Sequence, residues 1–180
     1  RLREPLSAAA RASAILITRV DEAHGGESVR CLLLDACGSL PSLVRVGFRA
    51  EEFRRVGTGE RLPLDAFRGR SAVLFSGIGK AESFRALVAG LGITVVETLA
   101  FPDHVHYTRG MIDTIRAKAK ACGADLLVTT EKDADKVAPL LVPEDACWAV
   151  RLRTERVSVQ QDVERLVRLD SASGRTGGHA

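Results

Sequence analysis

The feature that most restricts the fold of this 180-residue chain is a regular alternation of strand-like and helix-like segments from Gly69 onward. "SAVLFS" (71–76) is a short apolar run that ends in the glycine turn "GIGK". Residues 81–91 then place Phe84, Leu87, Val88 and Leu91 on one helical face, with Gly92 as the C′ residue. "ITVVETLAF" (93–101) reads as the next strand, and a polar loop separates it from a helix over 108–122 with Thr108 as N-cap. That helix turns Met111, Ile112, Ile115 and Ala119 inward and Arg116, Lys118 and Lys120 outward, and Gly123 stops it. "DLLVTT" (125–130) leads into "EKDADK" and a short helix limited by Pro139, and residues 147–152 form a last strand before a helix over 159–169. Strands joined through helices by short connections define βαβ units. The expected fold is therefore α/β, a three-layer α/β/α arrangement around a mainly parallel, doubly wound sheet.

The earlier part has a different texture. Residues 3–13 suggest a short helix, and "AILIT" (14–18) a strand buried on both faces. "HGGES" reads as a loop, while residues 31–36 fit a strand or a helix equally well. From Leu43, apolar Val44, Val46 and Phe48 alternate with Arg45, Gly47 and Arg49, and a second run, 53–56, meets the turn "GTGE". A half-exposed strand pair linking two domains is expected there. The layout is then a leading piece of one domain over 1–40, a linker with a strand pair over 41–69, an α/β domain over 70–170, and a disordered tail over 171–180. The chain opens at Arg1, without Met, and runs straight into a core strand, so it is expected to be cut from a longer one.

Composition removes some function classes. The net charge of +3 is too small to argue for nucleic acid, and no basic run is interleaved with aromatics, so no nucleic-acid partner is expected. Cys31, Cys37, Cys122 and Cys147 show no CxxC pair and no His at zinc spacing, so no metal site is expected. Buried free thiols in a reducing, cytosolic compartment are the default for them. No stretch approaches the roughly 20 apolar residues that span a bilayer.

Three polar clusters begin where strands end, and in a parallel sheet those ends share one edge, where sites lie. In the glycine turn, Gly77 and Gly79 would let backbone amides approach a phosphate, or would simply make a tight turn. It is not a GxxxxGK[ST] loop, since Lys80 is followed by Ala81. In "FPDHVHYT", His104 suits a general base or a group that orients another base, Asp103 its orienting acid or a helix cap, and Tyr107 a hydrogen-bond donor or a packing ring; His106 is the weaker histidine. In "TTEKD", Lys132 would hold a phosphate and Asp133 would cap the short helix, or the whole cluster is a solvated turn. No GxSxG or reactive-Cys context supports a hydrolase built on His104 and Asp103. A non-catalytic module binding a phosphorylated ligand on its glycine turn is the alternative.

"VLFSGIGKAESF", "LAFPDHVHYT" and "LLVTTEKDADKV", in this order and spacing, resemble the tetraacyldisaccharide 4′-kinase family, the lipid A kinases of Gram-negative envelopes. "LREPLSAAARASAILITRV" is similar to the segment that closes that family's nucleotide-binding domain, and the likeness covers about residues 1–150. The resemblance implies a P-loop kinase that moves the γ-phosphate of ATP to the 4′-hydroxyl of a tetraacylated disaccharide 1-phosphate, with Mg²⁺, at the cytoplasmic face of the inner membrane. It makes residues 1–40 the remnant of the P-loop domain, with ATP and Mg²⁺ held mainly by a missing N-terminal part. The chain alone would then be inactive. Only the FPDH histidine, His104, carries over as a catalytic residue; in the family it pairs with an N-terminal aspartate and assists deprotonation of the sugar hydroxyl. Two departures stand out. The family often reads "GIGNP" where Lys80 and Ala81 follow Gly79 here, and its paired histidines are split by Val105, with the second at His106.

Overall fold

A computed structural model describes residues 4–18, 25–39, 42–142 and 144–160, and the chain divides into two compact units, residues 1–49 with 154–180 and residues 50–153. The first unit holds a 3₁₀ turn over Leu6–Arg11, strand β1 (Ala14–Thr18), helix α1 (Gly25–Cys37) and the start of strand β2 (Ser42–Arg55). β1 lies parallel to β2, with Ala14 opposite Ser42 and Thr18 opposite Val46. The ambiguous 31–36 run is helical, and the helix reaches back to Gly25, over residues of the "HGGES" stretch expected as a loop. Its burial explains why: of three consecutive leucines only Leu33 is buried, and Leu32 and Leu34 are exposed, the one-sided pattern of a surface helix.

β2 corrects the expected strand pair. The two runs are one continuous strand of 14 residues, because nothing between Arg49 and Phe53 can reverse the chain. Its end pairs instead with β3 (Arg61–Leu62), antiparallel, Phe53 opposite Leu62, across a turn in which Gly57 and Gly59 take positive φ. The last strand, β7 (Cys147–Gln160), is also longer than 147–152, so the first residues of the helix expected over 159–169 are strand. The rest of that helix and the tail over 171–180 lie outside the described residues.

The second unit continues with β4 (Ser71–Ser76), α2 (Ala81–Gly90), β5 (Thr94–Ala100), α3 (Arg109–Ala121), β6 (Leu126–Thr130) and α4 (Glu131–Val137). Strand order here is β2–β7–β6–β4–β5, and β5, β4, β6 and β7 run parallel. The period of two in β4 feeds both faces. Ala72 and Leu74 pack with Phe84 and Val88 of α2 and with Trp148, while Val73 and Phe75 pack with Ile112 and Ile115 of α3 and Val137 of α4. Helices on both faces of a parallel sheet are the three layers expected. The cysteines divide: Cys147 is buried in β7, but Cys31 in α1 and Cys122, the C-cap of the helix over Arg109–Ala121, are exposed, contrary to the expectation of buried thiols.

The connections decide where a site can form. From β4 the chain passes through α2 to its neighbour β5, whereas from β6 it passes through α4 to β7 on the other side. The direction reverses between β4 and β6, and in open α/β sheets such a switch point, beyond the carboxyl ends of the strands, is where ligands bind.

Candidate functional site

All three polar clusters meet at that edge. β4 supplies the glycine turn, β5 the Asp103–His104 loop and β6 the first turn of α4, as the parallel pairing requires. Lys132 Nζ donates to Asp103 Oδ1 at 2.6 Å, the backbone N–H of His104 donates to the same oxygen at 3.0 Å, and His104 Nε2 lies 3.7 Å from Asp103 Oδ2. The hydrogen bond from Lys132 is the main cause that holds the Asp103 carboxyl below its usual range. His104 is open, its side chain 82% exposed, and its φ of 60° is in the left-handed region that non-glycine residues rarely enter. His106 is exposed and takes part in none of these contacts.

A second, buried knot lies beneath. Asp133 is fully buried. Its Oδ2 accepts the Gly77 N–H at 2.8 Å and the Thr130 hydroxyl at 2.8 Å, and Lys136 Nζ donates to Oδ1 at 3.2 Å. The helix cap expected from Asp133 belongs to Thr130, whose Oγ1 accepts the Asp133 N–H at 3.2 Å. The T-x-x-D spacing is a capping signature and was the signal for Thr130. Gly77 has no room for a side chain: a Cβ there would stand 2.5 Å from Val105 Cγ1 and 3.3 Å from both Pro102 O and Asp133 Oδ1. Its amide is committed to Asp133, whereas Gly79 is exposed, with open space where a Cβ would stand. Tyr107 packs edge-on against Phe75 and Phe101, and its buried hydroxyl has no hydrogen-bond partner in place. Burial, and then the nearby Asp133 charge, push that phenol upward.

The candidates thus separate into an exposed group, Asp103, His104 and Lys132 with Gly79 nearby, and a buried group, Gly77, Tyr107 and Asp133. Nothing in the sequence announced the steric contact between Gly77 and Val105, because it joins two loops.

The fold and the edge cluster define a doubly wound α/β protein with an acid, a histidine and a lysine at its switch point. The chain belongs to the tetraacyldisaccharide-1-P 4′-kinase family, whose model matches residues 1–169. The tetraacyldisaccharide 4′-kinase of Anaeromyxobacter sp. (strain Fw109-5) is 36% identical over 96% of this chain and 46% of its own length. That of Syntrophus aciditrophicus (strain SB) is 40% identical over 61% of this chain and 29% of its own. A crystal structure of LpxK from Aquifex aeolicus in complex with ATP shares the fold, with a TM-score of 0.58 at 22% identity over 95% of this chain and 45% of that one. The chain spans less than half the length of these relatives. The resemblance drawn from the three motifs is borne out.

Proposed function

We propose that this chain supplies the C-terminal part of a tetraacyldisaccharide 4′-kinase, which transfers the γ-phosphate of ATP to the 4′-hydroxyl of the tetraacylated disaccharide 1-phosphate precursor of lipid A. The observation that carries the reading is the Asp103–His104–Lys132 cluster at the carboxyl edge of the sheet, in a chain of this family. Phosphoryl transfer asks a protein for positioning, for charge neutralisation and for a group that accepts the hydroxyl proton. His104 is exposed beside a carboxylate and suits that last task, working with a carboxylate from the part of the enzyme outside this chain. Asp103 orients it.

Bound Mg²⁺ supplies charge neutralisation at the ATP phosphates in such a reaction. Among the described residues no group of three or more His, Cys, Asp or Glu side chains is arranged to hold a metal ion, and the sequence has no GxxxxGK[ST] loop. These residues do not fit a Mg²⁺–ATP site by themselves. Both ligands are assigned mainly to the remainder of the enzyme, and the chain alone is expected to be inactive. The proposed work takes place at the cytoplasmic face of the bacterial inner membrane, the location the family resemblance implies for a kinase with a lipid acceptor. Among the described residues no helix is long and apolar enough to cross it, and membrane contact is assigned to the remainder.

The test replaces His104 in the full-length enzyme. Asn tolerates left-handed backbone, so His104→Asn keeps the loop and removes the base, and His104→Ala is its companion. We expect kcat to fall by roughly 10²-fold or more with KM little changed. Near-normal kcat in both variants overturns the assignment. The alternative, a module gripping a phosphorylated ligand on its glycine turn, is disfavoured by the commitment of the Gly77 amide to Asp133.

A further inference from the structure

We infer that Lys132 and Asp133 are positioning residues that hold the His104 loop between them, as a two-pronged clasp on the first turn of α4. The inference rests on the reading of His104 given above. Neighbouring residues on a helix project about 100° apart, so one short turn can reach two strand ends. Lys132 extends to the loop after β5, where its ammonium meets Asp103 Oδ1 at 2.6 Å. Asp133 turns inward to the turn after β4, where its Oδ2 takes the Gly77 N–H at 2.8 Å. Gly77 in turn is the seat of the β5 loop, because its bare Cα faces Val105 Cγ1 and the Pro102 carbonyl. His104 lies between Asp103, pinned from one side, and Val105, seated from the other.

Its backbone carries the mark of that restraint. A non-glycine residue held at φ 60° persists where surrounding contacts over-determine it. The same geometry argues against phosphate contacts for both prongs. Asp133 is a buried carboxylate whose oxygens are shared among Gly77, Thr130 and Lys136. Lys132 already spends its charge on Asp103, and that hydrogen bond is the first cause of the lowered Asp103 carboxyl. The pair "KD" in "TTEKD" therefore has a shared task, to join three strand ends into one rigid edge.

The experiment uses the full-length enzyme with three variants, Lys132→Met, Lys132→Arg and Asp133→Asn, and two readouts. The first is hydrogen exchange of peptides spanning 75–80 and 101–107, which does not depend on turnover. The second is kcat and KM for ATP. We expect Lys132→Met to speed exchange in 101–107 only, and Asp133→Asn to speed it in both peptides. Each should lower kcat roughly ten- to a hundredfold while KM for ATP holds, as a misplaced reacting group does. Lys132→Arg should recover most of the loss. Should Asp133→Asn fail to fold, Val105→Ala removes the seat without touching charge and is expected to loosen 101–107 and lower kcat. A raised KM for ATP with kcat unchanged in Lys132→Met would make Lys132 a phosphate contact and overturn the clasp, as would unchanged exchange in the variants. If exchange rises as expected but kcat is indifferent both here and in His104→Asn, the clasp stands and the catalytic reading of His104 falls.

Discussion

Gly77 and Gly79 are two residues apart in one turn, and they answer to different constraints. A methyl group on Gly77 would collide with Val105 Cγ1 at 2.5 Å, whereas around Gly79 there is nothing within 4 Å. Gly77→Ala should cost about 1–3 kcal/mol through overpacking, read from the urea midpoint, and Val105→Ala in the same chain should recover part of it. Gly79→Ala should stay within about 0.5 kcal/mol of the parent. Equal effects at the two positions would show that the loop does not rest on Gly77. His104 follows a similar logic. At φ 60° a β-branched residue is a true outlier, so His104→Val should be less stable than His104→Asn by about 1–2 kcal/mol.

At the scale of the elements, a cap starts α3 and an ion pair ties it to the loop before β7. Thr108 Oγ1 accepts the Met111 N–H at 3.3 Å to start α3, and Thr108→Ala should cost about 1 kcal/mol. Further along α3, Arg116 grips Asp145 in a fork, Nε to Oδ1 at 2.9 Å and an outer nitrogen to Oδ2 at 2.6 Å. Asp145 Oδ2 also takes the Val142 N–H at 2.8 Å, which ties the loop before β7 to the helix. The hydrogen bond from Arg116 is the chief reason that the Asp145 carboxyl sits below its ordinary range. A depressed folded-state pKa contributes stability above the unfolded value, near 4, and loses it as pH falls through the folded value. Asp145→Asn should therefore be less stable than the parent by about 1–3 kcal/mol at pH 7. The gap should close as the pH is lowered below about 4. Urea midpoints of both proteins at pH 7 and pH 3 check it: the gap should be smaller at pH 3, and a gap that does not narrow at all would assign the loss to packing.

For the molecule as a whole, the division into two units supplies separate reporters. The single tryptophan, Trp148, lies in the second unit against Phe67, with the Arg55 guanidinium 5.8 Å above its ring. Beside it Cys147 is fully buried, and burial pushes its thiol upward and keeps it unreactive. Maleimide should label the exposed Cys31 and Cys122 in the native protein and reach Cys147 only in denaturant, along the same transition as Trp148 emission. Labelling of Cys147 ahead of the fluorescence change would mean that β7 frays on its own.

The sequence by itself determined the layers and the edge. Apolar runs such as "SAVLFS" and "DLLVTT", separated by one-sided helices, specify parallel strands covered on both faces, and parallel strands bring their ends together. Those signals are local, carried by residues two to four positions apart, so they can be read before folding. The motifs that identify the family were legible for the same reason. Run 31–36 was not, because a short apolar stretch fits either periodicity until its neighbours decide which side is buried. The path of β2 and the commitments of Gly77, Lys132 and Asp133 were decided only by tertiary structure. From sequence Asp133 reads as a helix cap or a solvated charge, and only the approach of the β4 turn, 56 positions away in sequence, makes it a buried acceptor. Contacts between loops leave no period in the chain, and their energetics exist only once the sheet has set its strand ends side by side.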